Sequence, residues 1–206
     1  MIPLEVDGPD RAERAIVLAH GAGAPMDSPF LNHFARGLAA RGFRVVRFEF
    51  PYMRARRTGR RLPPDRLPVL SACWREVVTV LGGARRLVIG GKSLGGRIAS
   101  LFADEVAAGG LLCLGYPFHP PGKPQVLRVE HLRMLETPTL IVQGTRDPLG
   151  SQEEVAGYSL SPSIRLHWIA DGDHSLKPRA RSGRTETQNL DEALEAIAEF
   201  VAGLAW

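Results

Sequence analysis

Arg86-Leu-Val-Ile-Gly-Gly-Lys-Ser-Leu-Gly-Gly-Arg-Ile-Ala-Ser100 decides how this 206-residue chain is read. Leu87 to Ile89 is a short apolar run of the kind that suits a strand buried on both faces, and Arg97 to Ala103 has helical spacing. Ser93 stands at the corner between them. A side chain presented at so tight a strand-to-helix turn needs a strained backbone and close approach of neighbouring main chain. Gly91 and Gly95 permit both, completing G-x-S-x-G, a nucleophile elbow. The helix that begins after Ser93 offers unpaired N–H groups, so the Leu94 amide is a candidate oxyanion donor. The same pattern also describes a plain glycine-rich strand-to-helix turn, and partners elsewhere in the chain must separate the two.

Working outward, Ala15 to Ala19 reads as a buried strand that leaves into His20-Gly-Ala-Gly-Ala-Pro25. A loop of such small residues lets backbone amides approach a bound group; Ala22 is the candidate second oxyanion donor, with Gly23 beside it as alternative and substrate contact. His20 is expected to brace the loop. Asp27 or Ser28 caps a helix with Pro29 at its start and Phe30, Phe34 and Leu38 on one side. Phe43 to Phe50 is a strand, residues 51 to 64 a basic loop without period, and Arg66 to Leu81 a helix with an apolar stripe. After the elbow helix, expected to run to about Ala108, come strands at Leu111 to Leu114, Thr139 to Gln143 and Ile164 to Ile169. Helices are expected at Val129 to Leu135, at Ser151 to Tyr158 behind a Ser-x-x-Glu capping pattern, and at Leu190 to Leu204. Ile2 to Val6 is a possible edge strand.

Six strand-helix alternations predict an α/β architecture: three layers, a mainly parallel sheet of about six to seven strands, helices on both faces and no cap, as one domain over residues 1–206. With 44% hydrophobic and 23% charged residues the composition is that of a globular protein. No apolar run approaches the ~18 residues of a membrane span. The first residues carry no secretory pattern, which makes the cytoplasm the expected location. Cys73 and Cys113 lack metal-ligand spacing and are read as buried small hydrophobes. All but three of the 26 basic residues are arginine, without a nucleic-acid-binding motif, so a nucleic-acid partner is not expected. No cofactor or metal is called for, and the chain says nothing of oligomeric state.

In such sheets ligands bind beyond the carboxyl ends of the strands. There lie Gly144-Thr-Arg-Asp147 and Ala170-Asp-Gly-Asp-His174. Ser93, Asp147 and His174 occur in the chain order that the elbow requires. His174 would take the proton of Ser93 and Asp147 would orient the imidazole. Asp171 and Asp173 are competing acids, too near His174 in sequence to approach its ring squarely. Tyr116 and His119, beyond the fourth core strand, are candidate substrate contacts. Arginine-rich residues 54–61 and 177–184 leave the sheet at the same end and predict an electropositive mouth suited to anionic substrates.

With these motifs in view the chain resembles the α/β-hydrolases, most nearly the small cap-less branch related to dienelactone hydrolases. His20 to Phe30, Gly91-Lys-Ser-Leu-Gly-Gly-Arg97, Gly115 to Pro124 and Gly172-Asp-His-Ser-Leu-Lys-Pro178 are similar to bacterial relatives of the testis-expressed and histone-acetyltransferase-complex hydrolase-like proteins. The resemblance implies the hydrolase fold, a Ser93, Asp147, His174 triad and oxyanion donors at Leu94 and Ala22. Lys92 departs from the pattern, standing where esterases often place His, Asp or an aromatic, and the dienelactone hydrolases' nucleophilic cysteine is serine here. The expected function is cleavage of a small ester or thioester acyl substrate. A catalytically silent interaction module on the same fold is the alternative.

Overall fold

The computed structural model describes residues 2–10, 12 and 14–205. Seven strands form one sheet in the order β1-β3-β2-β4-β5-β6-β7, comprising β1 (Leu4–Asp7), β2 (Ala15–Ala19), β3 (Arg44–Phe48), β4 (Leu87–Lys92), β5 (Gly110–Leu114), β6 (Thr139–Gly144) and β7 (Ile164–Ile169). Only β1 runs antiparallel to its neighbour; the other pairings are parallel. The helices are α1 (Pro29–Ala40), α2 (Pro51–Arg57), α3 (Leu67–Val80), α4 (Leu94–Ser100), α5 (Gln152–Val155) and α6 (Glu186–Ala202).

Strand alternation sorts the apolar side chains into two cores. Val17, Ile89, Leu111, Cys113 and Ile141 face α3 and α4, whereas Ile16, Val88, Leu112, Leu140 and Val142 face α1 and α6. Both faces of the central strands are therefore covered, which is why they read as near-continuous apolar runs. On the first face Trp74 is fully buried and meets Phe48 edge to face at 4.6 Å. On the second, Gly37 sits where a Cβ would lie 2.5 Å from Leu194 Cδ2, so α1 and α6 pack in close contact. A glycine inside a helix costs about 1 kcal/mol, and burying Phe34 and Leu38 at about 1.5–3 kcal/mol each outweighs it.

Five elements differ from their sequence reading. Residues 51–57 are helical rather than loop: Pro51 opens α2, Tyr52 and Met53 are its buried side, and its arginines carry no apolar period to betray it. Arg57 binds both carboxylate oxygens of buried Glu49, at 2.7 and 2.8 Å, and reaches Asp27. The elbow helix stops at Ser100, where the Leu101 and Phe102 amides tighten to i→i−3 bonds, and the turns that follow end with Ala107 at φ 50. There the Asp104 carboxylate accepts from the Glu136 and Thr137 amides. The segment at 129–135 holds only a 3-10 turn, Glu130–Arg133. The last helix begins four residues early, at Glu186, because Thr185 and Gln188 form a capping box ahead of the apolar stripe. The capping box at Ser151 and Glu154 is present, although α5 runs only to Val155.

The 3-10 turn fastens the β5–β6 crossing to α4: His131 Nε2 lies 2.8 Å from Ser100 Oγ and 3.4 Å from the Tyr116 hydroxyl. Burial first, then the Arg97 charge, pulls the His131 imidazole down to about 4. An unfolded chain protonates this histidine near pH 6.5 while the folded chain resists to about 4. The unfolded state thus binds more protons in that window, and stability falls as pH drops from about 6.5 toward 4. Urea midpoints at pH 7 and 5 are expected to fall with pH, and to fall less in His131→Gln.

Candidate active site

Ser93 occupies the corner between β4 and α4 at φ 49, ψ −109. A non-glycine residue there stores roughly 1–3 kcal/mol, and the surrounding packing must hold it. The holding is a close approach to β2: a Cβ on Gly91 would lie 2.0 Å from the Ala19 carbonyl oxygen, and one on Gly95 2.5 Å from the same atom. The Ser93 amide donates to the Leu114 carbonyl at 3.0 Å, which ties the corner to β5 as well.

His174 arrives from the loop after β7. Its Nε2 lies 2.9 Å from Ser93 Oγ and its Nδ1 2.8 Å from Asp147 Oδ2. The carboxylate can only accept, which places the ring proton on Nδ1 and leaves the Nε2 lone pair facing the serine hydroxyl. Asp147 is fully buried. Its Oδ1 accepts from the Leu149 amide at 2.8 Å and its Oδ2 also accepts from Gln143 Nε2 at 2.8 Å. Gln143, equally buried, accepts from the Tyr116 amide at 2.7 Å and donates to the Tyr116 and Gly150 carbonyls. No motif marks it in the sequence. Its signal was an amide closing an otherwise apolar strand, Leu140-Ile-Val-Gln143, where a buried polar group needs partners.

The competing acids are engaged elsewhere. Arg179 holds Asp171 down at about 2, and Arg146 approaches the same carboxylate at 3.0 Å. Asp173 accepts from the Ser175 and Lys177 amides within its own loop.

Across from the imidazole, the loop after β2 is held from behind. His20 is buried, accepts from the Phe50 amide through Nε2 at 3.1 Å and donates from Nδ1 to the Gly21 carbonyl at 2.7 Å. Burial lowers its pKa and keeps the ring neutral. The Tyr52 hydroxyl donates to the Gly21 and Ala22 carbonyls, both at 3.3 Å, and Arg56 adds a bond to the Ala22 carbonyl at 3.1 Å. In a trans peptide the C=O and N–H point opposite ways, so the Ala22 and Gly23 amides are turned away from Tyr52 and Arg56. Neither the Ala22 nor the Leu94 amide has an acceptor among the described residues. The roles of Tyr52 and Arg56 are not legible in the sequence because α2 carries no apolar period.

A cleft of about 510 Å³ opens over these groups, with Ala22, Gly23, Phe30, Leu31, Ser93 and His174 on its wall. A larger hollow of about 840 Å³ lies at the opposite ends of β2 and β4, beside Ala15 and Leu87, far from Ser93. Tyr116 and His119 are not on the cleft wall. After Gly115 the chain folds onto the α3 and α4 face, where the Tyr116 ring packs on Phe118 at 4.9 Å and its hydroxyl donates to the Arg128 carbonyl. His119 donates from Nδ1 to the Pro120 carbonyl at 3.0 Å. Part of the charge of the arginine-rich stretches is tied up inside the protein. Arg57, Arg179 and Arg184 are paired with carboxylates, and Arg56 is committed to the Leu62 and Ala22 carbonyls. The charged side chains on the wall are Lys92 and Glu186. No helix among the described residues is long and apolar enough to cross a membrane.

Residues 12–202 match the family described as alpha/beta hydrolase domain. Among solved structures, a dienelactone hydrolase from Anabaena variabilis superposes with a TM-score of 0.72 at 21% identity, over 100% of this chain and 93% of its own. A serine hydrolase without a lid from Xanthomonas campestris gives 0.67 at 19%, over 98% and 87%. A thermophilic esterase from Thermogutta terrifontis, solved with malate bound, gives 0.69 at 17%, over 98% and 93%.

The elbow geometry makes a direct test. Gly95→Ala forces its methyl against the Ala19 carbonyl and Cβ, at 2.5 and 2.9 Å, and is expected to lose about 1–3 kcal/mol of stability. Gly23→Ala, with nothing within 4 Å of the new methyl, is expected to stay within about 0.5 kcal/mol of wild type. Urea denaturation of both variants checks the pair.

Proposed function

The chain belongs to the alpha/beta hydrolase family, and from that footing we propose that it is a serine hydrolase that cleaves a small ester or thioester through a covalent acyl-enzyme. The observation that carries this reading is the unbroken relay from Ser93 Oγ to His174 Nε2 at 2.9 Å and from His174 Nδ1 to Asp147 at 2.8 Å. A serine hydroxyl is a weak nucleophile at neutral pH, and a base in hydrogen-bond contact activates it.

In the proposed reaction the Ser93 oxygen attacks the substrate carbonyl carbon as its proton passes to His174 Nε2. Asp147 stabilises the imidazolium so formed. The carbonyl oxygen gains negative charge and is bound by the Leu94 and Ala22 amides, which lack internal acceptors. Collapse of the tetrahedral intermediate expels the alcohol or thiol, which takes the proton from His174. Water then enters, loses a proton to the same nitrogen and attacks the acyl-enzyme, releasing the acid and restoring Ser93. Ala22, Phe30 and Leu31 provide an apolar wall of the cleft, which suits an uncharged acyl group of modest size. The resemblance to dienelactone hydrolases and esterases adds the expectation of a carboxylic ester.

Labelling of purified protein with a fluorophosphonate probe tests the reading. Wild type is expected to label covalently. Ser93→Ala should not label, and His174→Ala should label and turn over 4-nitrophenyl acetate at least about 10³-fold more slowly. Folded wild type that takes up no probe would leave the fold serving as an interaction module.

A further inference from the structure

Lys92 ends β4, one residue before Ser93, and its side chain threads between the loops that carry the proposed chemistry. A Cβ on Gly21 would lie 3.3 Å from Lys92 Cγ, and one on Gly115 2.8 Å from Lys92 Nζ. Glycine at both positions keeps side chains from crowding the slot. At its end the ammonium donates to the His174 carbonyl oxygen and lies 5.1 Å from the centre of the Phe30 ring. The loop after β2, the elbow, the loop after β5 and the His174 loop thus meet on one side chain. No described carboxylate comes within ion-pair distance of it. Lys92 is partly buried between these loops, and partial loss of water makes an ammonium costlier there than an apolar side chain of similar length.

Two consequences follow from this placement. The bond to the His174 carbonyl fixes the backbone from which the imidazole hangs, and hence its height above Ser93. The charge also alters the electrostatic balance of the site. At rest Asp147 contributes one buried negative charge; during attack the imidazolium and the oxyanion add one of each sign, so a negative charge remains. A fixed cation beside the site offsets it.

We propose that Lys92 is a positioning residue of the active site, clamping His174 through its carbonyl and balancing the negative charge of Asp147 and of the oxyanion. The proposal rests on the serine hydrolase reading above. The ionisable groups facing the ammonium are Asp147 from the loop after β6, and Asp173 and His174 from the loop after β7. Glu186, at the start of α6, stands on the cleft wall. Phe30, Gly21 and Gly115 bring no charge. Burial pulls the ammonium down to about 8 against the opposing pull of Asp147 and Asp173. Above that pH the charge is lost and the bond to the His174 carbonyl weakens.

The test is the pH dependence of kcat and KM for 4-nitrophenyl acetate in wild type and Lys92→Met, run beside the rate of fluorophosphonate labelling. Wild-type kcat and labelling rate are expected to decline above about pH 8. Lys92→Met is expected to show kcat lower by roughly 10- to 100-fold near pH 7, KM within about threefold, and no alkaline decline. A general loss of packing would not remove the alkaline limb. A wild-type profile that stays flat through about pH 9.5 overturns the proposal even if the variant does not fold. Lys92→Met with wild-type kcat overturns it too, as does a variant that keeps the alkaline limb. Wild type that takes up no probe at any pH means instead that the hydrolase reading has failed.

Discussion

The close approach of three backbones at Ala19 is the constraint on which the site depends. β2, β4 and the first turn of α4 come so near that Gly91 and Gly95 both abut the Ala19 carbonyl. A methyl group on either would drive the elbow away from β2 and move Ser93 off the corner it occupies. The strained backbone at Ser93 is stable because it is pinned on both sides, by β2 through these glycines and by β5 through the Leu114 carbonyl. Strain of a few kcal/mol is small beside the apolar burial of the two cores that flank the same strands.

From that corner a chain of fully partnered polar groups runs inward, from Ser93 to His174, Asp147, Gln143 and the backbone around Tyr116. Its buried members have partners at each step, which is the condition under which a polar network rigidifies a core rather than weakening it. The opposite wall follows the same logic. His20, Tyr52 and Arg56 occupy the carbonyls of the loop after β2, and the amides on the other side of those peptides have no acceptor among the described residues. Lys92 joins the two halves. Part of the positive charge of the chain is drawn into internal pairs, such as Arg57 with Glu49 and Arg47 with Asp7. Those pairs brace the loops around the site, and net charge is a poor guide to its chemistry.

Much of this was legible in the residues. Buried parallel strands announce themselves as apolar runs because both faces are covered, so β2 falls on the residues its run marks, whereas β7, at the sheet edge and only partly buried, shows itself by alternation of apolar with polar residues. The elbow was legible because only glycines tolerate the contacts on either side of Ser93. Asp147 and His174 were legible as polar residues placed just beyond strand ends in the right order. Helix α2 was not, since its burial rests on Tyr52 and Met53 alone and its arginines find partners by tertiary contact rather than by helical period.

What the sequence by itself determined is the succession of strands and helices, the position of the elbow and the set of residues able to supply a nucleophile, a base and an acid. Those properties depend on local sterics and on periodic burial, which are written into neighbouring residues. Only the tertiary structure decided which polar groups meet. Tyr116 and His119 fold away from the cleft on the far side of Gly115, Gln143 turns inward to Asp147, and Lys92 passes between two glycines that lie 94 positions apart in the chain. Such contacts join segments distant in sequence, and their geometry is set by how the strands stack and the loops close over them.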